Sequence, residues 1–335
     1  MRFDARSFEG QPLQLLLARV RAGDIDRILG EARRQMAPRP RGVVRTRGAA
    51  DQPTVDLMPA MEGAAVVDSP LPPDHPPVQI PRVTLVEWIG AGAEGIVYLG
   101  IAEQTGRNVA VKLVRQDAGA TRSSAVREAL ICAKLQHPNI VRVLTVELLP
   151  PWWVIIMELV KGCTLSTAAV SQRDKPVFGQ LSDALCLLSA RGIVHRDVKP
   201  ANVILRDANR SPVLIDFGLA VDLGAAEWMP DSTQGTPIFM APDALRGNKP
   251  EPSWDWYSLG ITVAEVLLGM RFCGKYSSLT YTDLAALKLT GAFDREVRQA
   301  LRELEDAELS SWCAALTDSG SPEREKAIRQ ACHWQ

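Results

Sequence analysis

The sequence predicts an α+β fold, and three observations carry that expectation. β-prone runs flank a glycine-rich loop at Val83–Val86 and Ile96–Leu99, and a further one lies at Val109–Lys112. A helical pattern covers Ser123–Leu135. Beyond it come the apolar runs Leu181–Val194 and Val203–Leu205 and a strand at Val213–Ile215. The dense, alternating pattern starts near residue 82 and lasts to the end of the chain.

Composition narrows the class. At 335 residues the chain can hold one large domain or two medium ones with a real core. Its 38 basic and 39 acidic side chains nearly cancel, which argues against a whole-chain nucleic-acid binder; no sequence-specific nucleic-acid role is expected. Hydrophobic residues at 46% exclude the wholly disordered class. Cys132, Cys163, Cys186, Cys273, Cys313 and Cys332 form no C-x-x-C pair, so they read as neutral thiols in a reducing compartment. No apolar h-region opens the chain. The strongest apolar run, Trp152–Val160, is too short to span a bilayer and contains Glu158. The expectation is a soluble, cytoplasmic protein without a transmembrane segment.

Three zones follow one another. Residues 1–36 read as a short helical segment, with Leu13, Leu16, Leu17 and Val20 at helical spacing and Asp24 able to cap a second helix after Gly23. Residues 37–81 hold 10 of the 23 prolines and read as an extended, disordered linker. Residues 82–335 read as the globular domain. The first 50 residues carry eleven arginines against five acids. Such an excess reads either as a solvated basic linker or as a docking arm for an acidic or protein partner.

The motifs within the domain carry the chemistry. Gly90-Ala91-Gly92-Ala93-Glu94-Gly95 matches G-x-G-x-x-G, which by itself is weak. A dinucleotide loop would lead into a helix. Here β-prone runs stand on both sides, which favours a hairpin flap whose amides cover phosphates. In Val109-Ala110-Val111-Lys112, Val109 and Val111 share one strand face and Ala110 and Lys112 the other. A small Ala and a cation on the loop side leave room for a flat base and reach its phosphates. Taken alone, Lys112 would be a surface lysine on an edge strand. Glu128, on the helix that stops at Gln136-His137-Pro138-Asn139, could hold Lys112 by a charge-assisted hydrogen bond, or could be a plain surface glutamate.

The most specific segment is His195-Arg196-Asp197-Val198-Lys199-Pro200-Ala201-Asn202. An acid, a lysine two on and an amide five on can take a hydroxyl proton, neutralise a phosphoryl group and ligate a hard metal. The strand Val213-Leu214-Ile215 then delivers Asp216-Phe217-Gly218, a second carboxylate suited to magnesium.

The ordered set resembles the eukaryotic-type protein kinase domain of the serine/threonine family over roughly residues 82–335. It continues in Gly235-Thr236-Pro237-Ile238-Phe239-Met240-Ala241-Pro242-Asp243 and in Asp255-Trp256-Tyr257-Ser258-Leu259-Gly260. The resemblance implies two lobes, a small β-rich N-lobe at 82–160 and a larger helical C-lobe at 161–335, with ATP and Mg2+ as cofactors. Gly90, Ala91, Gly92 and Gly95 would shape the loop over the phosphates. Lys112 would contact them and pair with Glu128. Asp197 would accept the hydroxyl proton, Lys199 would stabilise the moving phosphoryl group, and Asn202 and Asp216 would hold magnesium. Val97 and Ala110 would line the adenine slot, Met157 would be its gatekeeper, and Glu158 to Val160 would form the hinge.

Lys199 and Gly235-Thr236-Pro237 resemble the pattern of enzymes acting on Ser and Thr of protein substrates, in signalling. Arg196 would pair with a phosphate at Ser232 or Thr233; constitutive activity with Asp231 or Glu227 supplying charge is the alternative. Thr236 would contact the catalytic loop. Two departures stand out. Glu94 occupies the loop tip, where an aromatic is usual, and Asp243 replaces a glutamate whose partner would be Arg324. An ATP-binding pseudokinase scaffold and a small-molecule phosphotransferase are the competing readings.

Overall fold

A computed structural model describes residues 78–92, 95–115, 124–225, 235–269, 276, 279–318, 324 and 326–328. The segment at 1–36, the linker before residue 78, Glu94, Glu227, Asp231, Ser232 and Thr233 lie outside the described residues.

Five antiparallel strands build the small lobe: β1 (Val83–Gly92), β2 (Gly95–Ala102), β3 (Arg107–Arg115), β4 (Val143–Leu149) and β5 (Trp152–Glu158). They lie in the order β1-β2-β3-β5-β4. The strand period of two sorts the side chains of β3 onto two faces. Val109, Val111 and Leu113 join an outer apolar cluster with Tyr98, Val154 and Ile156. Ala110 and Val114 join the inner core, where helix α1 (Ser124–Cys132) contributes Ala129, Ile131 and Cys132. That register turns Lys112 toward α1. The ordered fold starts slightly earlier than expected. Ile80, which the proline pattern placed in the linker, is buried, bridges Val83 and completes the outer cluster.

The helix expected over 123–135 is shorter at its C-terminal end. It closes at Cys132, and the Lys134 and Leu135 amides then donate three residues back, to Ile131 and Cys132. The last turn tightens in this way where the chain must leave for His137-Pro138.

The larger lobe opens with β6 (Gly162–Thr164), which pairs with β8 (Val203–Arg206), itself paired with β9 (Pro212–Leu214). β7 (Ile193–Val194) pairs with β10 (Val221–Asp222). Helices α2 (Lys175–Ala190), α3 (Pro242–Leu245), α4 (Ser253–Leu268), α5 (Tyr281–Leu289), α6 (Ala292–Leu301) and α7 (Ala307–Leu316) supply the rest. α4 is buried on every side from Trp254 to Ala264, as an apolar helix at the centre of a lobe must be. Gly260 lets α7 approach it: a Cβ there would meet Leu316 Cβ and Thr317 Cγ2 at 2.9 Å. This α+β, two-lobed architecture is the one the resemblance implied.

Candidate active site

Two strands and a helix bring the first cluster together. Lys112 comes from the inner face of β3, Glu128 from α1, and Asp216 from the chain leaving β9. The Lys112 ammonium donates to Glu128 Oε2 at 2.8 Å and to Asp216 Oδ1 at 2.7 Å. Lys112 and Glu128 are buried, whereas the Asp216 side chain is 38% exposed, so its carboxylate opens onto the cleft. Burial pushes the Glu128 carboxyl above its ordinary range, against the opposing charge of Lys112. Burial also raises the Cys132 thiol, one turn further along α1, which keeps it neutral. Asp216 holds φ 63°, a left-handed conformation that a non-glycine residue adopts only when its surroundings impose it.

The second cluster is the loop between β7 and β8. His195 is fully buried, and desolvation lowers its imidazole, leaving it neutral. Its Nε2 lies 3.1 Å from Ile215 O, and its Nδ1 accepts the Asp197 amide at 3.3 Å. Only the Nε2–H tautomer satisfies both contacts. Phe217 stacks edge-on against the ring, with centroids 4.6 Å apart. Below the loop, Asp255 of α4 accepts the His195 and Arg196 amides, and burial pushes its carboxyl up to about 7. Arg196 itself sits at φ 69°.

The Asp197 carboxylate is gripped from three directions. Asn202 Nδ2 donates to Oδ2 at 2.8 Å and to the Asp197 carbonyl at 2.9 Å. Lys199 Nζ lies 2.6 Å from Oδ2, and Thr236 Oγ1 donates to Oδ1 at 3.0 Å. Lys199 also donates to Thr236 Oγ1 at 2.8 Å, so Thr236 stands against the loop where the sequence put it.

The glycine loop is the turn between β1 and β2, with Ala91 facing Ile96 and Gly92 facing Gly95 across the ladder. Its glycines differ in purpose. A Cβ on Gly95, at φ 147°, would strike Leu113 O at 2.3 Å, whereas one on Gly90 would meet nothing within 4 Å. Val97 pairs with Lys112, and Ala110 pairs with Met157, across neighbouring strands. The Glu158 carboxylate turns to the Arg142 amide (3.1 Å) and toward Arg206 (3.6 Å). Burial raises that carboxyl, with Arg206 opposing. The Glu158 amide is spent on Arg142 O at 2.9 Å, which leaves only its carbonyl for a base edge. No described residue takes the Val160 amide or carbonyl.

Asp197, Lys199, Asn202, Lys112, Glu128 and Asp216 therefore fall into two linked clusters, with the glycine loop, Val97, Ala110 and Met157 in the small lobe above. Asn202 spends its amide nitrogen on Asp197, which leaves its side-chain oxygen for a ligand beside the exposed Asp216 carboxylate. Two oxygen donors completed by phosphates and water fit magnesium. Among the described residues there is no larger cluster of His, Cys, Asp and Glu able to hold a metal.

Arg324 forms no close ion pair with Asp243, although the Asp243 charge still opposes the desolvation that lowers the buried guanidinium. Asp243 pairs with Arg246 at 2.8 Å, one turn along, while Arg324 donates to Leu316 O and lies over the Tyr257 ring. The shorter aspartate favours the local partner. Asp255 was visible in its motif, but nothing in the motif pointed to its hold on the His195 and Arg196 amides.

The family model described as the protein kinase domain matches residues 83–327. The chain belongs to the protein kinase family. Among its relatives is the serine/threonine-protein kinase pkn2 of Myxococcus xanthus, 32% identical over 202 residues, covering 56% of this chain and 24% of that protein. The serine/threonine-protein kinase Pkn1 of the same organism is 34% identical over 197 residues, covering 55% and 28%. PkaA of Streptomyces coelicolor, a serine/threonine-protein kinase, is 31% identical over 222 residues, covering 59% and 41%. The chain thus spans about a quarter of the length of the first two. Among the described residues no helix is long and apolar enough to cross a membrane.

Proposed function

We propose that this protein transfers the γ-phosphate of ATP to Ser or Thr hydroxyls of protein substrates, in signalling, with residues 82–335 as the catalytic domain. The observation that supports this reading best is the grip of Asn202, Lys199 and Thr236 on one carboxylate, Asp197. Such a carboxylate is oriented to receive a proton from an incoming hydroxyl.

In this reading the acceptor oxygen forms its bond to the γ-phosphorus as its proton passes to Asp197. The bond from γ-phosphorus to the bridging oxygen breaks, and ADP leaves with the electron pair. Lys199 stabilises charge on the moving phosphoryl group. Lys112 holds the α/β-phosphates and is itself held by Glu128. Gly90 and Gly92 let the loop backbone approach the phosphates. Val97, Ala110 and Met157 line the adenine slot, and the Val160 backbone and the Glu158 carbonyl read the base edge. Asn202 and Asp216 would hold Mg2+, which when bound neutralises phosphate charge. The basic excess in residues 1–50 reads first as a solvated linker and second as a docking arm for an acidic partner; deleting residues 1–77 separates the two, since only a docking arm would change localisation while peptide turnover stays intact.

Asp197→Asn tests the reading. Turnover of a serine-containing basic peptide with magnesium ATP should fall about 10^3-fold, the scale of a lost general base, while ATP binding persists. Wild-type protein that binds ATP yet turns over no substrate would leave the scaffold reading instead.

A further inference from the structure

Lys288 is 1% exposed, deep in the large lobe and outside both clusters described above. Its ammonium donates to Met240 O at 2.7 Å and to Tyr257 Oη at 3.2 Å. It lies 4.7 Å from the centroid of the Tyr257 ring and 4.6 Å from that of Phe293. Tyr257 in turn donates to Asp294 Oδ1 at 2.7 Å. Desolvating an ammonium is costly, so a lysine is retained at such a place only where its contacts offset that cost.

The contact with Met240 is the informative one. The Ser258 hydroxyl of α4 shares its one proton between the preceding carbonyl, Phe239 O, at 2.8 Å and Trp254 O of its own helix at 3.0 Å. Two consecutive carbonyls are therefore held from the core, one by α4 and one by α5. The same stretch turns back on itself, since the Phe239 and Met240 amides both donate to Thr236 O. Thr236 carries the hydroxyl on Asp197. Gly235 closes the turn, with a virtual Cβ 3.2 Å from Arg196 O and 3.3 Å from Met240 Cγ. The path from Lys288 to the Asp197 carboxylate thus runs through one tight turn of backbone.

We infer that Lys288 is a positioning residue for the protein substrate: with Ser258 it clamps the Gly235–Met240 turn that carries the Thr236 hydroxyl onto Asp197, and it sets peptide affinity without touching nucleotide. This rests on the kinase reading above. Lys288 supplies a donor that neither leucine nor methionine could offer at that depth, and its two ring contacts hold the ammonium in place.

Full-length Lys288→Met and Ser258→Ala decide the matter, with a serine-containing basic peptide as probe. Lys288→Met should raise the peptide KM about tenfold and leave the ATP KM within about twofold. Ser258→Ala, a small change that keeps the fold if Lys288→Met does not, should move the peptide KM the same way by about threefold. Hydrogen exchange at residues 235–246 should quicken in both variants while residues 195–202 stay protected. An unchanged peptide KM, or an ATP KM that rises in step with it, overturns the inference. Should the wild-type protein show no turnover, the kinase reading fails and the substrate claim with it. The exchange result then judges the clamp alone, and unaltered exchange overturns it.

Discussion

Asp255 holds Arg196 across 59 residues of chain, its Oδ1 accepting the Arg196 amide at 2.8 Å while Oδ2 takes the amide of His195 at 2.7 Å. A buried helix thereby fixes the backbone of the loop that presents Asp197. The strained φ of Arg196 persists because this carboxyl and the packing around it leave no alternative.

Asp255→Asn should therefore weaken both the loop and the fold. The asparagine must aim an N–H at one of two N–H donors, and an unpaired buried donor costs about 1–3 kcal/mol. Turnover should fall at least about tenfold. The pH dependence should change as well. The folded carboxyl keeps its proton up to about 7, against 3.8 for the ordinary group. Between those values the folded state binds more protons, so this group's contribution to stability falls as pH rises through the window and levels off above it. Denaturant melts from pH 4 to 8 should show that decline in the wild type and a flatter profile in the variant.

Lys112→Met leaves Glu128 buried without its cation. Breaking such a pair from one side costs about 3 kcal/mol. Adding Glu128→Gln to the same chain should recover part of that loss, because the stranded charge is gone. A double-mutant cycle on urea melts measures the coupling, and additive losses would contradict it. Neither variant should turn over substrate.

Thr236 offers a subtler test. Its hydroxyl donates to Asp197 and accepts from Lys199, so Thr236→Val removes both contacts at nearly constant volume. The expected result is a fall in kcat of about tenfold, with the ATP KM little altered. Thr236→Ser, which keeps the hydroxyl, should retain most of the activity. Steady-state kinetics on the three proteins separate the outcomes.

The glycine loop should split by position. Gly95→Ala places a Cβ against Leu113 O in a conformation that L residues resist, so thermal stability should drop. Gly90→Ala meets open space, so its melting temperature should hold while ATP affinity weakens. Equal losses of stability would contradict the contrast.

Much of the candidate site was legible because its residues cluster along the chain. His195 to Asn202 and Asp216 to Gly218 are short, and their spacing alone suggests a hydroxyl, a phosphate and a metal. The β3 alternation also placed Lys112 and Ala110 on the loop side, since a period of two needs no tertiary knowledge. Glu128 stayed ambiguous, because burial distinguishes a structural ion pair from a surface charge, and burial is decided by what covers the helix. The shortening of α1 was equally out of reach, since the chain tightens there to turn toward His137-Pro138. The partner of Asp243 depended on whether a one-methylene difference in reach favours Arg246 or Arg324.

What the linear order of residues determined was the family, the α+β class and the chemical parts, because each part is a local string whose residue types the chemistry requires. What only the folded chain decided was how those parts are held: Asp255 beneath the His195–Asn202 loop, Thr236 on Asp197, Lys288 under Met240. Each joins residues 39 to 60 positions apart. Periodicity marks which face of an element is buried, but not which distant polar group a side chain on that face will meet.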